Sequence, residues 1–145
     1  MNLEKINIAI IGQGYVGLPL AIEFGKKYPT IGFDINHSRI DDLKKGIDHT
    51  NEASQEQLKS ANHLNLSSDL NDIIGCNIYI VTVPTPIDEY KTPDLNPLKS
   101  ATKMLGKFLK KGDIVIYEST VFPGCTEEVC VPLLESASGL VFNQD

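Results

Sequence analysis

Apolar and polar positions along this chain fall into short hydrophobic runs separated by amphipathic stretches. Residues 6–11 form an isoleucine-rich run ending at Gly12, too short for a helix but suited to a parallel strand buried on both faces. In residues 16–27, Leu18, Ala21, Ile22 and Gly25 recur at i, i+3, i+4 and i+7, which predicts a helix laid on that strand. Pro19 falls in its first turn, where a missing N–H does little harm. Thr30–Phe33 reads as a second strand ending at Asp34, and residues 38–45 as a short helix stopped by Gly46. Residues 47–62 are mixed and polar, a loop with a short helix over Gln55–Ser60, before a brief strand at 64–66.

The second half repeats the alternation. Residues 77–83 are the next strong strand, followed by a turn-rich stretch punctuated by Pro84, Pro86, Pro93 and Pro97. Asn96 is expected to cap the next helix, with Pro97 at its first position and Leu98, Ala101, Thr102, Leu105 and Leu109 on its buried face. Gly112 ends it, and Ile114–Tyr117 is a fifth strand. A last helix is expected over residues 126–136, where Pro132 implies a kink or a start one turn later. Residues 140–144 read as the beginning of a sixth strand. Strands alternating with helices predict an α/β fold, a doubly wound parallel sheet with helices on both faces, cut near that sixth strand.

Gly12, Gly14 and Gly17 stand in the spacing GxGxxG, with Gln13, Tyr15 and Val16 between them. Alone this pattern is weak; placed after a buried strand and opening an amphipathic helix, it reads as a Rossmann-type dinucleotide loop. Gly12 permits the tight turn, Gly14 lets the backbone approach a pyrophosphate, Gly17 allows close packing, and the helix dipole favours the phosphates. Asp34 ends strand two about 20 residues after Gly14, where a carboxylate accepts hydrogen bonds from the adenosine ribose and repels a 2′-phosphate. That favours NAD over NADP, although Arg39 is able to bind either a ribose or a phosphate. A glycine-rich turn with Asp34 as a helix cap is the plain alternative, and the combined context outweighs it. Pro84 and Thr85 follow strand four, and Glu118, Ser119 and Thr120 follow strand five, at the sheet edge where ligands bind. Their hydroxyls can reach a nicotinamide, but turn chemistry explains the same residues equally well.

Composition removes several other classes. The net charge is −6 over 145 residues, and the lysine pairs are scattered, so nucleic acid is not an expected partner. A dinucleotide needs no basic protein, since helix N-terminal amides hold pyrophosphate. No export signal or membrane-length apolar stretch is visible, which predicts a soluble, cytoplasmic protein. Cys76, Cys125 and Cys130 lack CxxC spacing and read as reduced thiols, with Cys76 and Cys130 in the core. Cys125 lies near a helix N-terminus that lowers thiol pKa values, yet an ordinary small residue is the better reading. His37, His49 and His63 read as surface residues, and no metal site is expected.

Together, the stretch from Gly12 to Pro19, the trio Asp34, Ile35 and Asn36, the run Val83, Pro84, Thr85 and Pro86, and residues 118–124 from Glu118 to Gly124 resemble the UDP-glucose/GDP-mannose dehydrogenase family. Residues 84–95, with Tyr90, Lys91, Thr92, Pro93 and Asp94, look most like the branch that oxidises UDP-N-acetylhexosamines for surface polysaccharides. The resemblance implies oxidation of a sugar C6 hydroxyl to a carboxylate in two hydride transfers to two NAD molecules, through a cysteine thiohemiacetal and thioester. It assigns Gly12, Gln13, Gly14, Tyr15, Val16 and Gly17 to the pyrophosphate loop and Asp34 and Arg39 to the adenosine ribose. Pro84, Thr85 and Thr120 fall to the inner half of the cofactor, with Thr120 also positioning a water. The family's nucleophilic cysteine, its lysine and its acidic partner would lie beyond residue 145, as would the central helix and the UDP-sugar-binding domain. The full-length enzyme would be a homo-oligomer acting on a UDP-sugar. Two other readings share the loop and the acid: a dehydrogenase of the 3-hydroxyacid or 6-phosphogluconate type, and a module that senses NAD(H) for a partner protein.

Overall fold

The computed structural model describes residues 5–87 and 89–145; Asp88, inside the turn-rich segment, lies outside the described residues. Its frame is a five-stranded, wholly parallel sheet of β1 (Ile8–Ile11), β2 (Thr30–Phe33), β3 (Leu64–Ser67), β4 (Ile78–Val81) and β5 (Ile114–Tyr117), in the order β3-β2-β1-β4-β5. Between them run α1 (Gly17–Gly25), α2 (His37–Lys44), α3 (Gln55–Ser60), α4 (Asn96–Gly106) and α5 (Val131–Ser138). The doubly wound fold is as expected, with β1 central and all four of its residues buried.

Strand alternation divides the core in two. Ala9 and Ile11 face a layer built with Tyr79, Val81, Leu98, Leu105 and the three cysteines. Ile8 and Ile10 face the opposite way, towards Ala21 of α1. Leu18 and Ile22 of α1 continue that second layer over Ile40 and Leu43 of α2 and Leu66 of β3. Of the buried face expected for α4, Leu98, Ala101, Thr102 and Leu105 are buried; α4 ends at Gly106 and not at Gly112, which leaves Leu109 beyond the helix and half-buried.

Several boundaries differ for local reasons. Asn96 is the first residue of α4 and not its cap: Leu95 holds the cap position without a side-chain cap bond, and Asp94, two residues back, accepts the Asn96 N–H at 2.9 Å in a local turn. Asn36 caps α2 through the Arg39 N–H. Pro132 leaves no N–H for a regular α turn, and a π-helical turn at Thr126–Cys130 precedes α5. The sixth strand expected from residues 140–144 is not there. Gly139, at φ 73°, ends α5 in the left-handed region. The amides of Val141 and Phe142 are then taken by the carboxylates of Asp145 and Glu135 at 3.0 and 2.9 Å, so the segment folds as a turn.

Candidate functional site

The register aligns Phe33, Ile11, Val81 and Tyr117 across the carboxyl edge of β2, β1, β4 and β5. Each ladder runs one residue further: Gly12 donates to Phe33, Asp34 to Ser67, Thr82 to Ile11 and Glu118 to Val81, at 2.8–3.1 Å. Asp34, Gly12, Thr82 and Glu118 therefore stand in a row, fixed by the sheet. Above them opens a cleft of about 770 Å³ lined by the glycine loop, residues 33–36, Arg39, residues 82–85, the start of α4 and residues 118–120. All eleven positions singled out from the sequence except the buried Gly17 line it.

The loop's geometry follows from its glycines. Gly12 has φ 99°, in the left-handed region, with the Thr82 backbone 3.2 Å from where a Cβ would sit. At Gly17 a Cβ would overlap both the Gly12 carbonyl and the Thr82 hydroxyl, so α1 starts hard against the sheet. At Gly14 a Cβ would meet nothing within 4 Å. The loop is open on that side, where a pyrophosphate has room to approach. In the first turn of α1 the Leu18 N–H donates to the Gly14 carbonyl at 3.2 Å, the Leu20 N–H to that of Val16 at 3.4 Å, and Pro19 has no N–H, so an anion here is met by the end of the loop ahead of Leu18 and by the positive end of the helix dipole. Tyr15, Val16 and Ile35 flank the opening with exposed apolar side chains, Ile35 at 79%.

Asp34 is tied to this loop. Its Oδ2 accepts the Gln13 N–H at 2.8 Å and its Oδ1 the Asn36 N–H at 2.9 Å. Each oxygen keeps lone-pair capacity for a ribose hydroxyl. The Gln13 side chain points away from the cleft: it is fully buried, and its Nε2 donates to the carbonyls of Ile10 and Gly12 at 3.0 and 3.2 Å. Only its backbone serves the site. Arg39 also lines the cleft, but its guanidinium is engaged, with Nε donating to the Gln13 carbonyl at 2.9 Å and Nη1 lying 2.7 Å from Asp48 Oδ1.

Two residues missed by sequence reasoning, Thr82 and Asp48, shape the site together with Thr85 and Ser119, which the sequence had placed at this edge. Thr82 donates to the Gly12 carbonyl at 2.8 Å and lies 3.0 Å from that of Ile11, holding the loop from below. Ser119 donates to the Val83 carbonyl at 2.7 Å, and Thr85 to that of Thr120 at 2.7 Å, so the loops after β4 and β5 are cross-tied. Asp48 anchors Arg39. Thr82 had one available signal: it directly follows a strand that must neighbour β1 in this topology. Cys76, Cys125 and Cys130 are all buried, and burial raises the thiols of Cys76 and Cys130 above their ordinary value. His37, His49 and His63 are exposed, as expected. Among the described residues no cluster of three His, Cys, Asp or Glu can hold a metal, and no helix is long and apolar enough to cross a membrane.

Comparison with known proteins points the same way. A family described as "UDP-glucose/GDP-mannose dehydrogenase family, NAD binding domain" matches residues 6–145. The chain is 59% identical over 143 residues to a UDP-N-acetyl-D-glucosamine 6-dehydrogenase of Pseudomonas aeruginosa, covering 99% of this chain and 34% of that protein. A Salmonella typhi protein of the same name is 55% identical over 144 residues, with the same coverage of 99% and 34%. Among solved structures, a UDP-D-ManNAc dehydrogenase from Pyrococcus horikoshii superposes with a TM-score of 0.88 at 34% identity, over 95% of this chain and 34% of that one. The chain thus spans about a third of the length of these relatives.

Proposed function

The chain belongs to the UDP-glucose/GDP-mannose dehydrogenase family as an NAD-binding domain, and from that premise we propose that it serves an enzyme oxidising the C6 hydroxyl of a UDP-N-acetylhexosamine to the uronate. The observation that carries the reading is the row of Asp34 and the open glycine loop on one sheet edge, joined by the bond from the Gln13 N–H to Asp34. NAD, when bound, supplies the hydride acceptor. The chain's own residues supply placement: the α1 N-terminus for the pyrophosphate, Asp34 for the adenosine ribose, and Pro84, Thr85 and Thr120 for the inner half. Thr120 is exposed on the cleft, where it can also position a water.

The substrate branch is supported by the names of the two relatives above 50% identity. In this reading the sugar site and the covalent chemistry come from chain beyond residue 145, and the full-length enzyme is a cytoplasmic homo-oligomer serving surface polysaccharide synthesis. Cys125, fully buried in the core, is not its nucleophile.

The test is calorimetric titration of the 145-residue chain with NAD and NADP. We expect saturable NAD binding, weakened at least about tenfold by Asp34→Ala through loss of charged hydrogen bonds to the ribose. We also expect no oxidation of UDP-sugars by the chain alone. Absence of binding by a demonstrably folded chain would overturn the assignment of the cleft, and appreciable turnover would overturn the division of labour.

A further inference from the structure

An arginine five residues after the ribose-binding acid, on the rim of the same cleft, raises a problem of selectivity. A free guanidinium there would pair bidentately with a 2′-phosphate and draw in NADP. The structure shows what restrains it. Arg39 is held on three sides: Nε by the Gln13 carbonyl at 2.9 Å, Nη2 by Thr50 Oγ1 at 3.2 Å, and Nη1 by Asp48 at 2.7 Å. The two charged side chains retain only 11% and 1% of their exposure.

Asp48 is built for this purpose by its loop. Its Oδ1 accepts from the Thr50 N–H and hydroxyl at 3.0 and 2.7 Å, and its Oδ2 from the N–H groups of Glu52 and Ala53 at 2.8 and 3.0 Å. Burial alone would favour the protonated acid; these bonds and Arg39 outweigh it and hold the carboxyl well below the usual carboxylate range. The carboxylate is therefore charged at neutral pH, and it faces Arg39.

We infer that Asp48 is a specificity-determining, positioning residue: by neutralising Arg39 and turning its guanidinium onto the Gln13 carbonyl, it denies a 2′-phosphate the only cation on this rim of the cleft among the described residues. Asp34 repels that phosphate, and Asp48 disarms the arginine that would attract it. The inference rests on reading the cleft as an NAD site.

The test is the ratio of NADP to NAD dissociation constants for the 145-residue chain, by calorimetry at fixed salt, with folding checked by circular dichroism. Asp48→Asn frees the Arg39 charge and should lower the ratio at least about tenfold, chiefly by tighter NADP binding, as expected for a new arginine–phosphate pair. Adding Arg39→Gln to that variant should restore the wild-type ratio. Arg39→Gln alone should move it by less than about twofold, because a paired, screened charge contributes little at a distance. A folded Asp48→Asn chain with an unchanged ratio overturns the inference. So does a selective loss of NADP in Arg39→Gln, which decides the matter if Asp48→Asn fails to fold. A folded wild-type chain that binds neither dinucleotide overturns the NAD reading of the cleft and this inference with it. NAD binding with an Asp48-insensitive ratio overturns this inference alone.

Discussion

At the scale of single residues, the glycines of the loop make opposite predictions. Gly14→Ala places a methyl where nothing lies within 4 Å, so thermal stability should be unchanged. In the proposed reading the same methyl stands where the pyrophosphate approaches, so NAD affinity should fall at least about tenfold, as a steric block in a preformed site requires. Gly17→Ala should do the reverse in order: its methyl meets the Gly12 carbonyl and the Thr82 hydroxyl, and urea unfolding should show a loss of about 1–3 kcal/mol or more. Thr82→Val keeps the volume but removes the hydroxyl that bonds Gly12, at a cost of about 1–2 kcal/mol. If Gly14→Ala were destabilised while still binding NAD, the open face would have been assigned to the wrong side of the loop.

At the scale of elements, the layer between the sheet and α4 and α5 holds four titratable groups that burial keeps neutral. The Cys76 thiol is pushed from 9.0 up to about 11 by burial, with Lys110 pulling the other way. Cys130, Tyr79 and Tyr117 are raised as well, with burial the leading cause in each. Raised acid pKa values mean that the unfolded chain loses these protons first. Above pH 9 the folded state therefore binds more protons, and stability falls as pH rises, by up to about 1.4 kcal/mol per pH unit for a group like Cys76. Thermal scans from pH 7 to 11 should show a melting temperature that declines beyond 9; a flat profile would mean that solvent reaches this layer. The same elements show what a sequence discloses. β1 and the buried faces of α1 and α4 were legible because burial imposes periods of 2 and 3.6, and Asp34 because its spacing from Gly14 is set by one βαβ unit. Thr82 was not, since its partners in the Gly12 loop are 70 residues away and depend on β1 and β4 being neighbours. Arg39 lines the cleft, but its ion pair with Asp48 was not legible, because Asp48 reaches it through a loop with no periodic signal. The sixth strand failed because apolar residues at 140–142 resemble a strand start, while side-chain carboxylates captured their amides.

At the scale of the whole molecule, the two layers are unequal. α1 packs on β1, β2 and β3, and the strand alternation that sends Ile8, Ile10 and Ile80 into its layer also sends Ile116 to that side. β5 pairs only with β4 among the described strands, and Ile116 is 37% exposed on it. The sheet thus presents an apolar edge with unpaired backbone groups, the arrangement that templates association between strands. We expect the 145-residue chain, which spans 34% of its relatives' length, to self-associate as concentration rises, and light scattering over a dilution series to report masses above 15.9 kDa. Ile116→Lys should hold the mass near the monomer value, because a charge on an edge strand opposes edge pairing. The substitution lies two residues before Glu118, off the floor of the cleft, so NAD binding should survive it. If the wild-type chain stays monomeric throughout, the turn at residues 141–145, where Asp145 accepts from Gly112 and Lys111, already shields enough of the edge to block pairing. If association persists in Ile116→Lys, the contact lies elsewhere, and the β3 edge on the far side of the sheet becomes the surface to charge next.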